Sequence, residues 1–597
     1  MKTGMRQDIQ IYRAIAVILV VAYHLKVPGF AKGFFGVDIF FVISGFLMAQ
    51  RFQVGKTSQF FKKRIKRLIP SYSIVIFVTL LIGFWRSELS DFTQVIDQVR
   101  ASVIGAPNVY FWSQDSYFNQ SNFNPLLHLW SLGIEFAFYL VVPLVATIAR
   151  RKSILFLLLL LSLISCWLVL TVSPKTAFFL FPFRFWEFLI GYIACKFYYT
   201  NRNHTKTSNL VLILLAFPVF VIPVDGFSVS PLLSHPGVSS LLICLATAML
   251  LTRNLAIQSN YLTRFFVNTG NASYSIYLVH FPVIVYFWYS PFQGNNLKTP
   301  TVQELVVLLS VISVLSYLLY NLIESKNREI YSKTFFYISL VIVIILTSIL
   351  IGKLKQESLS AYKSQIAQAY FDRSEYRCGK IVRILSPFEQ MCKISKNNSS
   401  ERVLLLGNSH ADAIKVAFSK AAELSEKEVY FWVQNDPLIG NAKTGATIIS
   451  ESLKVGITEI YLHYSSGSLT EANLSNFILQ AKVHSLEVVI IGSVPTWGVK
   501  VPQALWQVSP GIVPDSLNQS YSQFEEINLE GLEILKAAAA KYELDYLDTA
   551  FVLCTPGCQY ASPTGKLFYW DEGHLTLSGA STLLPLFKGH LQKAMSE

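Results

Sequence analysis

Charged residues are scarce in this chain. Only 15% of its 597 residues are Asp, Glu, Lys or Arg, whereas 52% are hydrophobic. Soluble proteins carry about 25% charged residues, so the composition excludes a wholly water-soluble protein and indicates a membrane protein. The net charge of +13 does not indicate nucleic-acid binding, because the basic residues lie mostly between apolar runs and not over one soluble surface.

The hydrophobic residues form runs of the length that crosses a bilayer, about 17 to 25 residues each. We predict about eleven membrane-spanning helices, which begin near Ile9, Phe34, Leu68, Leu126, Ser153, Phe178, Leu210, Pro236, Ala272, Val302 and Phe335. The first run follows Lys2 and Arg6 as in a signal peptide. It lacks a small-residue cleavage site, so we predict a helix that is retained.

Basic residues are distributed unevenly between these runs. If the N-terminus is cytoplasmic, the segments on the cytoplasmic side hold most of the Lys and Arg residues. Such an excess fixes the orientation of a membrane protein during insertion. An odd number of spans then places the residues after the last run on the extracytoplasmic side.

Cysteine is also rare, with seven residues in the chain. Three lie in predicted spans, and the other four, Cys378, Cys392, Cys554 and Cys558, lie in the outer part. An oxidising compartment favours disulfides, and closeness in sequence predicts Cys378 with Cys392 and Cys554 with Cys558. A zinc site with four cysteines is the alternative, but its usual close-spaced pairs are missing. We therefore predict no metal site.

The character of the sequence changes after the last apolar run. We assign residues 1–333 to a transmembrane domain, 334–352 to an additional transmembrane helix, 353–377 to a linker and 378–597 to an outer domain. Within 378–597, short β-rich runs alternate with amphipathic helical segments. This alternation predicts an α/β domain with a parallel sheet between two layers of helices.

Ionisable residues within the apolar runs are the candidates for chemistry in the membrane part. Arg13 and His24 are eleven positions apart, which places them on one helix face, about 16 Å from each other. Asp38 lies among aromatic residues and glycines, and we expect it to pair with a nearby Arg or His. Arg64 and Arg67 present two guanidinium groups on adjacent turns, a geometry suited to phosphate. The alternative is simple anchoring of all four cationic residues near the membrane interfaces.

These residues occur in the order found in a known family. Residues 1 to about 330 resemble the acyltransferase-3 membrane family in the Arg–His pair of the first helix, in the Arg-x-x-Arg pair, and in the segments 33–47, 129–139, 183–191, 272–282 and 320–325. Each segment alone is weak evidence, and their common order is strong evidence.

The resemblance implies roles for individual residues. Arg64 and Arg67 would hold the phosphates of an acyl-CoA donor that approaches from the cytoplasm, and Arg13 would orient the acyl group. His24 would be the catalytic centre, as general base or transient acyl carrier. Glu135 would tune His24, and a structural ion pair is the equally weighted alternative for this carboxylate.

A second group of candidate residues lies in the outer domain. The first β-rich run ends at Gly407, so Ser409 is expected at a strand-to-helix turn, beside backbone donors that favour a nucleophile. A plain helix N-cap is the alternative. Asp571 and His574, three residues apart, can supply the base and the acid that orients it.

The early serine and the late Asp-x-x-His resemble the SGNH hydrolase and acyltransferase superfamily, although Asn408 stands where an Asp is common. The resemblance implies a Ser409–His574–Asp571 triad. The superfamily's blocks for the oxyanion hole are not evident in this sequence, and Gly467 and Asn435 are the candidate donors.

An acyltransferase-3 bundle fused to a periplasmic SGNH domain resembles bacterial O-acetyltransferases that modify surface polysaccharides. The resemblance implies a multi-pass inner-membrane enzyme that moves an acetyl group from acetyl-CoA to a glycan such as lipopolysaccharide O-antigen or peptidoglycan. The expected partners are acyl-CoA, the glycan and the lipid bilayer, with no bound cofactor and no nucleic acid. The alternative is a transporter with a fused glycan-binding or esterase domain.

Overall fold

The computed structural model describes residues 6–114, 122–149, 151–200, 232–253, 260–325, 334–375, 390–432 and 442–593, with single positions 224, 230, 258, 378 and 438. The chain divides into two compact units, Met1–Lys355 and Gln356–Glu597.

The first unit is helical. Its described helices are Gln7–His24, Gly36–Arg51, Thr57–Arg86, Leu89–Val103, Pro107–Ser113, Trp130–Ile148, Lys152–Val172, Pro174–Phe179, Phe181–Thr200, Val238–Thr252, Tyr261–Asn271, Ser273–Phe287, Val302–Leu319 and Thr334–Glu357. Short 3-10 turns, Gly33–Phe35 and Leu127–Leu129, precede two of them, and a π-helical turn, Tyr320–Glu324, follows Val302–Leu319.

Several of these helices have the length and apolar character of membrane spans. In the described chain they are Gly33–Arg51, Thr57–Arg86, Leu127–Ile148, Ser153–Thr171 and Val302–Glu324, with two shorter apolar helices, Val238–Thr252 and Ser273–Phe287. A helix lies at every predicted span except the one near Leu210, which is outside the described residues. The total of eleven spans stays a prediction.

The helices differ in how far the protein buries them. Two thirds of the Gly33–Arg51 window is buried, but only 22% of the Ser153–Thr171 window. The exposed side chains of the latter include Leu157, Leu161 and Leu168. In water this exposed apolar surface would favour aggregation, whereas in a bilayer it contacts lipid tails that are equally apolar. The helix within Gly33–Arg51 therefore lies in the interior of the bundle, and the helix that contains Ser153–Thr171 lies at its periphery.

Glycine permits a close contact between two helices of the bundle. A Cβ at Gly45 would lie 2.0 Å from the carbonyl oxygen of Phe188, and a Cβ at Gly191 would lie 1.9 Å from that of Val42. Helices Gly36–Arg51 and Phe181–Thr200 thus pack backbone to backbone, as small residues allow in membranes.

The second unit is built on a six-stranded sheet. Its strands are β1 Met391–Lys393, β2 Arg402–Gly407, β3 Glu428–Trp432, β4 Glu459–His463, β5 Glu487–Ile491 and β6 Tyr546–Leu547, in the order β1-β3-β2-β4-β5-β6. All neighbouring pairs are parallel except β1 with β3. The predicted parallel sheet is confirmed for five strands. The antiparallel edge strand β1 was not predicted, because it has only three residues.

Helices cover both faces of this sheet. They are Ala361–Gln368, Ser409–Glu423, Ala442–Val455, Glu471–Val483, Val501–Trp506, Tyr521–Ile527, Leu529–Tyr542, Thr549–Leu553, Leu577–Ser581 and Leu584–Lys593. Successive strand residues point to opposite faces. Leu462 packs with Phe477 and Leu535 on one face, whereas Tyr461 meets Phe418 of Ser409–Glu423 on the other. The three layers are as predicted.

Two other features of the second unit bear on the predictions. Both predicted disulfides, Cys378–Cys392 and Cys554–Cys558, are present. Part of the segment assigned as a linker forms the helix Ala361–Gln368, where Tyr362 donates a hydrogen bond to the carbonyl of Leu505 at 3.2 Å. Residues from Gln356 onward thus fold with the second unit. We call Met1–Lys355 the membrane unit and Gln356–Glu597 the outer unit, after their predicted locations.

Candidate active site

The outer unit brings together Ser409, His574 and Asp571, as the sequence predicts. The distance from Ser409 Oγ to His574 Nε2 is 2.7 Å, and that from His574 Nδ1 to Asp571 Oδ2 is also 2.7 Å. Ser409 is exposed, whereas Asp571 is buried. A nucleophile, a base and an orienting acid are therefore aligned in one chain of hydrogen bonds that opens to solvent at the serine.

Local structure fixes each member of this triad. Ser409 is the first residue of its helix, and only Asn408 lies between it and the end of β2. Asn408 caps the helix by accepting a hydrogen bond from the backbone N–H of His410 at 3.0 Å. A Cβ at Gly407 would lie 1.9 Å from the carbonyl oxygen of His463. Glycine is thus needed for the turn before Ser409 to pass this close to β4.

Asp571 is held by its own loop. Its Oδ1 accepts hydrogen bonds from the backbone of Gly573 at 2.9 Å and of His574 at 2.7 Å. Burial raises the pKa of Asp571, but the hydrogen bond and charge of His574 outweigh burial and lower it. Burial lowers the pKa of His574, but the hydrogen bond and charge of Asp571 raise it overall. The carboxylate therefore stays ionised and makes the imidazole a stronger base.

Aromatic rings surround the imidazole of His574. Trp570 stacks on His574 with ring centroids 5.0 Å apart, and His410 lies 4.4 Å from it. Burial, followed by the charges of His574 and His463, holds the pKa of His410 well below its usual range. The guanidinium of Arg373 lies over the rings of Tyr370 and Trp570, 3.8 Å and 4.7 Å from their centroids. The neighbours of His574 restrict its ring to one orientation.

Sequence reasoning missed these neighbours. His410 directly follows Ser409 and Trp570 directly precedes Asp571, so adjacency to the motif was the available signal. Arg373 had no comparable signal, because it lies in the segment assigned as a linker.

The guessed oxyanion donors remain predictions. Gly467 adopts a left-handed φ of +75° in the loop after β4. The same loop holds Ser465 and Ser468, whose hydroxyls accept hydrogen bonds from Asn408 at 3.0 Å and 3.4 Å. The loop is therefore tied to the helix start that carries Ser409. Asn435 lies outside the described residues.

In the membrane unit, the predicted donor-binding residues line one cavity. Arg13, Arg64 and Arg67 meet there with Glu135 and Tyr139. Glu135 accepts hydrogen bonds from Tyr139 and Ser44. Three guanidinium groups and one carboxylate leave the cavity with net positive charge, which suits an anionic ligand such as a phosphate ester.

His24 lines a different cavity. Its walls are Val20, Phe34, Val37, His128, Trp130, Phe178, His235 and Tyr277. Val37 and Tyr277 also line the arginine cavity, so the two spaces adjoin. Arg13 and His24 share a helix, as predicted, but they face separate cavities. Glu135 lines the arginine cavity, away from the space that His24 lines, and its predicted role in tuning His24 stays a prediction.

Asp38 pairs with both kinds of partner that were expected. Its carboxylate lies 3.4 Å from Arg184 and 3.0 Å from Nε2 of His235, and all three side chains are buried. Glu187 lies 3.1 Å from Arg184. Asp38 and Glu187 also approach Cys244 closely enough to share a cation. The guanidinium of Arg184 already supplies positive charge at this place, so the group is a buried structural network.

Comparisons with known proteins agree with this two-part arrangement. Residues 6–353 match the model of an acyltransferase domain, and residues 375–589 match that of an SGNH domain found fused to such domains. The chain is 32% identical over 308 residues to "O-acetyltransferase OatA" of Staphylococcus aureus strain NCTC 8325, covering 46% of this chain and 50% of the relative.

A putative O-acetyltransferase of Staphylococcus aureus strain COL is 29% identical over 317 residues, covering 46% of this chain and 49% of the relative. The chain thus spans about half the length of the curated relatives it matches. Among solved structures, it is similar to the periplasmic domain of a lipopolysaccharide acetyltransferase from Salmonella ser. Paratyphi A. That likeness has 16% identity, a TM-score of 0.31, and covers 40% of this chain and 98% of that one.

Proposed function

The chain belongs to the acyltransferase family with a fused SGNH domain, and on this premise we propose that it is an O-acetyltransferase of the bacterial inner membrane. Acetyl-CoA in the cytoplasm provides the acetyl group, and a sugar hydroxyl of a surface polysaccharide receives it outside. Lipopolysaccharide O-antigen is the favoured acceptor, and peptidoglycan or another glycan is the alternative. The excess of Lys and Arg in the segments assigned to the cytoplasm supports this orientation.

The arginine cavity supports an acyl-CoA donor. Arg64 and Arg67 provide paired guanidinium groups, which bind phosphate oxygens in a bidentate manner. Coenzyme A carries such phosphates at one end and the thioester at the other, so the thioester would extend from the arginine cavity toward the adjoining cavity of His24. Arg13, on the same helix as His24, would orient the acyl carbonyl.

The triad of the outer unit is the observation that carries the proposal. His574 Nε2 lies 2.7 Å from Ser409 Oγ, close enough to take its proton while Oγ attacks an acyl carbonyl. The bond between the acyl carbon and its donor breaks with its electrons on the donor, and His574 gives up the serine proton to the donor or to solvent. The acyl-serine is then attacked by a sugar hydroxyl, whose proton passes to the neutral His574. The glycan ester forms, and Ser409 regains its proton from His574. In the direct variant of this scheme, His574 activates the sugar hydroxyl and the serine is not acylated.

Two substitutions test this proposal. Surface glycans from cells that carry the wild-type protein, His24→Ala or Ser409→Ala are compared by mass spectrometry. Under the acyl-serine scheme, acetylated glycan is expected only with the wild type, because each substitution removes a reacting side chain. Acetylation that persists with Ser409→Ala but not with His24→Ala indicates the direct variant. His484→Ala, at an exposed position, is the matched control and should acetylate normally. Normal acetylation by His24→Ala would refute the proposed route through the bundle.

An esterase is the second candidate, since the same triad also suits hydrolysis. The purified protein then releases acetate from an acetylated glycan when no donor is present. Acetyl transfer from acetyl-CoA to unacetylated glycan favours the transferase, and acetate release alone favours the esterase.

A further inference from the structure

Three buried histidines lie together in the membrane unit. His24 ends the first helix, His128 lies in the turn Leu127–Leu129, and His280 lies in the helix Ser273–Phe287. The ring centroid of His280 is 5.2 Å from that of His24 and 5.4 Å from that of His128. The nearest atoms of the first pair, His24 Nδ1 and His280 Nε2, are 3.1 Å apart. One of these nitrogens therefore donates a hydrogen bond to the other.

The backbone determines which nitrogen of His280 carries a proton. Its Nδ1 lies 2.7 Å from the carbonyl oxygen of Tyr277 and 3.3 Å from that of Ile276. A carbonyl oxygen only accepts hydrogen bonds, so Nδ1 of His280 is the protonated nitrogen. In a neutral imidazole the other nitrogen then has a lone pair. An imidazolium would be costly here, because its near neighbours are aromatic rings and other imidazoles.

It follows that His24 is the donor of the pair. Because His280 Nε2 can only accept, His24 must present a proton on Nδ1. The carbonyl of Val20 is a further hydrogen-bond partner of the His24 ring. The lone pair of His24 is therefore on Nε2, in a side chain that lines the second cavity.

We propose that His280 is a positioning residue that holds His24 in the tautomer with a nucleophilic Nε2 and accepts the Nδ1 proton when Nε2 is acylated. The chain of bonds from the Tyr277 carbonyl through His280 to His24 parallels the carboxylate, imidazole and hydroxyl of a serine triad. This inference rests on the proposed function and takes His24 as the transient acyl carrier.

The first half-reaction is balanced without a further reagent. The Nε2 lone pair attacks the thioester carbonyl carbon, the nitrogen–carbon bond forms, and the carbon–sulfur bond breaks with its electrons on sulfur. Coenzyme A leaves as a thiolate. The proton on Nδ1 of His24 passes to Nε2 of His280, so a neutral acetyl-imidazole remains and the imidazolium of His280 stays bonded to the Tyr277 carbonyl.

The second half-reaction restores both rings. The acceptor hydroxyl attacks the acetyl carbon, the nitrogen–carbon bond breaks, and its electrons return to Nε2 of His24. His280 returns the proton to Nδ1 of His24. The hydroxyl proton is released to solvent and balances the charge of the departed thiolate. The rings of Tyr23 and Phe281 pack against the His24 ring, with centroids 5.1 Å and 4.8 Å away.

The tautomer of His24 is the direct test. The full-length protein is labelled with ¹⁵N-histidine, reconstituted in bilayers and studied by solid-state NMR. Because the chain has ten histidines, the His24 signal is assigned by its loss in His24→Gln. The wild type is expected to show a protonated Nδ1 and an unprotonated Nε2 at His24. His280→Phe should lose this single tautomer. A protonated Nε2 at His24 in the wild type would overturn the inference.

Kinetics provide the second test. His280→Phe should lower kcat for acetyl-CoA cleavage by about 100-fold, within the range of proton-transfer catalysis, while KM stays unchanged because the arginine cavity is intact. In His280→Gln the amide oxygen reaches the position of the lost Nε2 and can accept a hydrogen bond from Nδ1–H of His24. This variant should therefore restore the His24 tautomer and part of kcat. Equal losses in both variants, or a loss carried by KM, would contradict the positioning role.

These outcomes separate the inference from the proposed function. If the wild type cleaves acetyl-CoA and His24→Gln does not, but the His280 variants match the wild type, only the inference fails. If the wild type does not cleave acetyl-CoA at all, the proposed function fails. His484→Gln, at an exposed position of the outer unit, is the control for labelling and activity.

Discussion

Replacing Asp571 by Asn should disable the outer triad while leaving its shape intact. The Asn oxygen can still accept the backbone hydrogen bonds that Asp571 receives from Gly573 and His574, at 2.9 Å and 2.7 Å. Its amide group then faces Nδ1 of His574 and donates to it. His574 must shift its proton to Nε2, the nitrogen 2.7 Å from Ser409 Oγ, and can no longer accept the serine proton. A wrong tautomer of this kind costs about 10⁴ in rate, or roughly 5.4 kcal/mol of transition-state stabilisation.

Hydrolysis of 4-nitrophenyl acetate by the full-length protein in detergent measures this effect, because a small ester needs only the triad. The matched control is Asp545→Asn, which alters a solvent-exposed Asp that hydrogen-bonds His590 at 3.1 Å. The control should hydrolyse the ester at the wild-type rate. An Asp571→Asn rate within about threefold of the wild type would refute the assignment of His574 as the base oriented by Asp571.

The same geometry supports further predictions. The rate of ester hydrolysis should fall as the pH drops through the pKa of His574. Burial lowers this pKa, but the Asp571 carboxylate raises it above the ordinary value of 6.5. A pH–rate profile whose acidic limb lies below 6.5 would contradict this. Arg64→Ala should raise KM for acetyl-CoA about ten- to hundredfold through loss of charged hydrogen bonds, with kcat little changed, and an unchanged KM would remove Arg64 from the donor site. Cys378→Ser removes the disulfide between two cysteines that are 14 residues apart, and Cys554→Ser removes the disulfide between two cysteines that are four residues apart. By loop-closure entropy they should lower the free energy of unfolding of the outer unit by roughly 3 and 2 kcal/mol; thermal unfolding followed by tryptophan fluorescence checks this, and a larger loss from Cys554→Ser would contradict the entropic account.

The triad could be predicted because its chemistry leaves a local trace in the sequence. Ser409 follows a buried strand, and Asp571 and His574 are three residues apart, so the two halves are recognisable although 165 positions separate Ser409 from His574. The disulfides follow from closeness in sequence. The sheet follows from short apolar runs, since strands buried on both faces contain few polar residues.

The partners of His24 and His574 could not be predicted in the same way. His280 lies within a segment that supports the family resemblance, but 256 positions separate it from His24, and a single sequence does not show which helices pack together. The helical period predicted one helix face for Arg13 and His24. The two residues share a helix but line separate cavities, and Val37 and Tyr277 line both cavities.

Some helix boundaries were predicted wrongly, because hydropathy does not follow the ends and breaks of a helix. The helix predicted to begin near Leu68 begins at Thr57, because its first residues are rich in Lys and Arg and hydropathy does not detect them. One of the amphipathic segments of the outer domain forms two helices, Tyr521–Ile527 and Leu529–Tyr542, separated by Asn528.

Transfer of an acetyl group across the membrane is the central claim, and one measurement tests it most directly. The full-length protein is reconstituted with its outer domain outside the vesicle, as protease accessibility verifies, and acetyl-CoA labelled with ¹³C is enclosed within. Surface glycan is added outside and analysed by mass spectrometry. The account predicts ¹³C-acetyl ester on the external glycan, dependent on both His24 and Ser409. Labelling that is absent with the wild type, or that persists with His24→Ala, would contradict it.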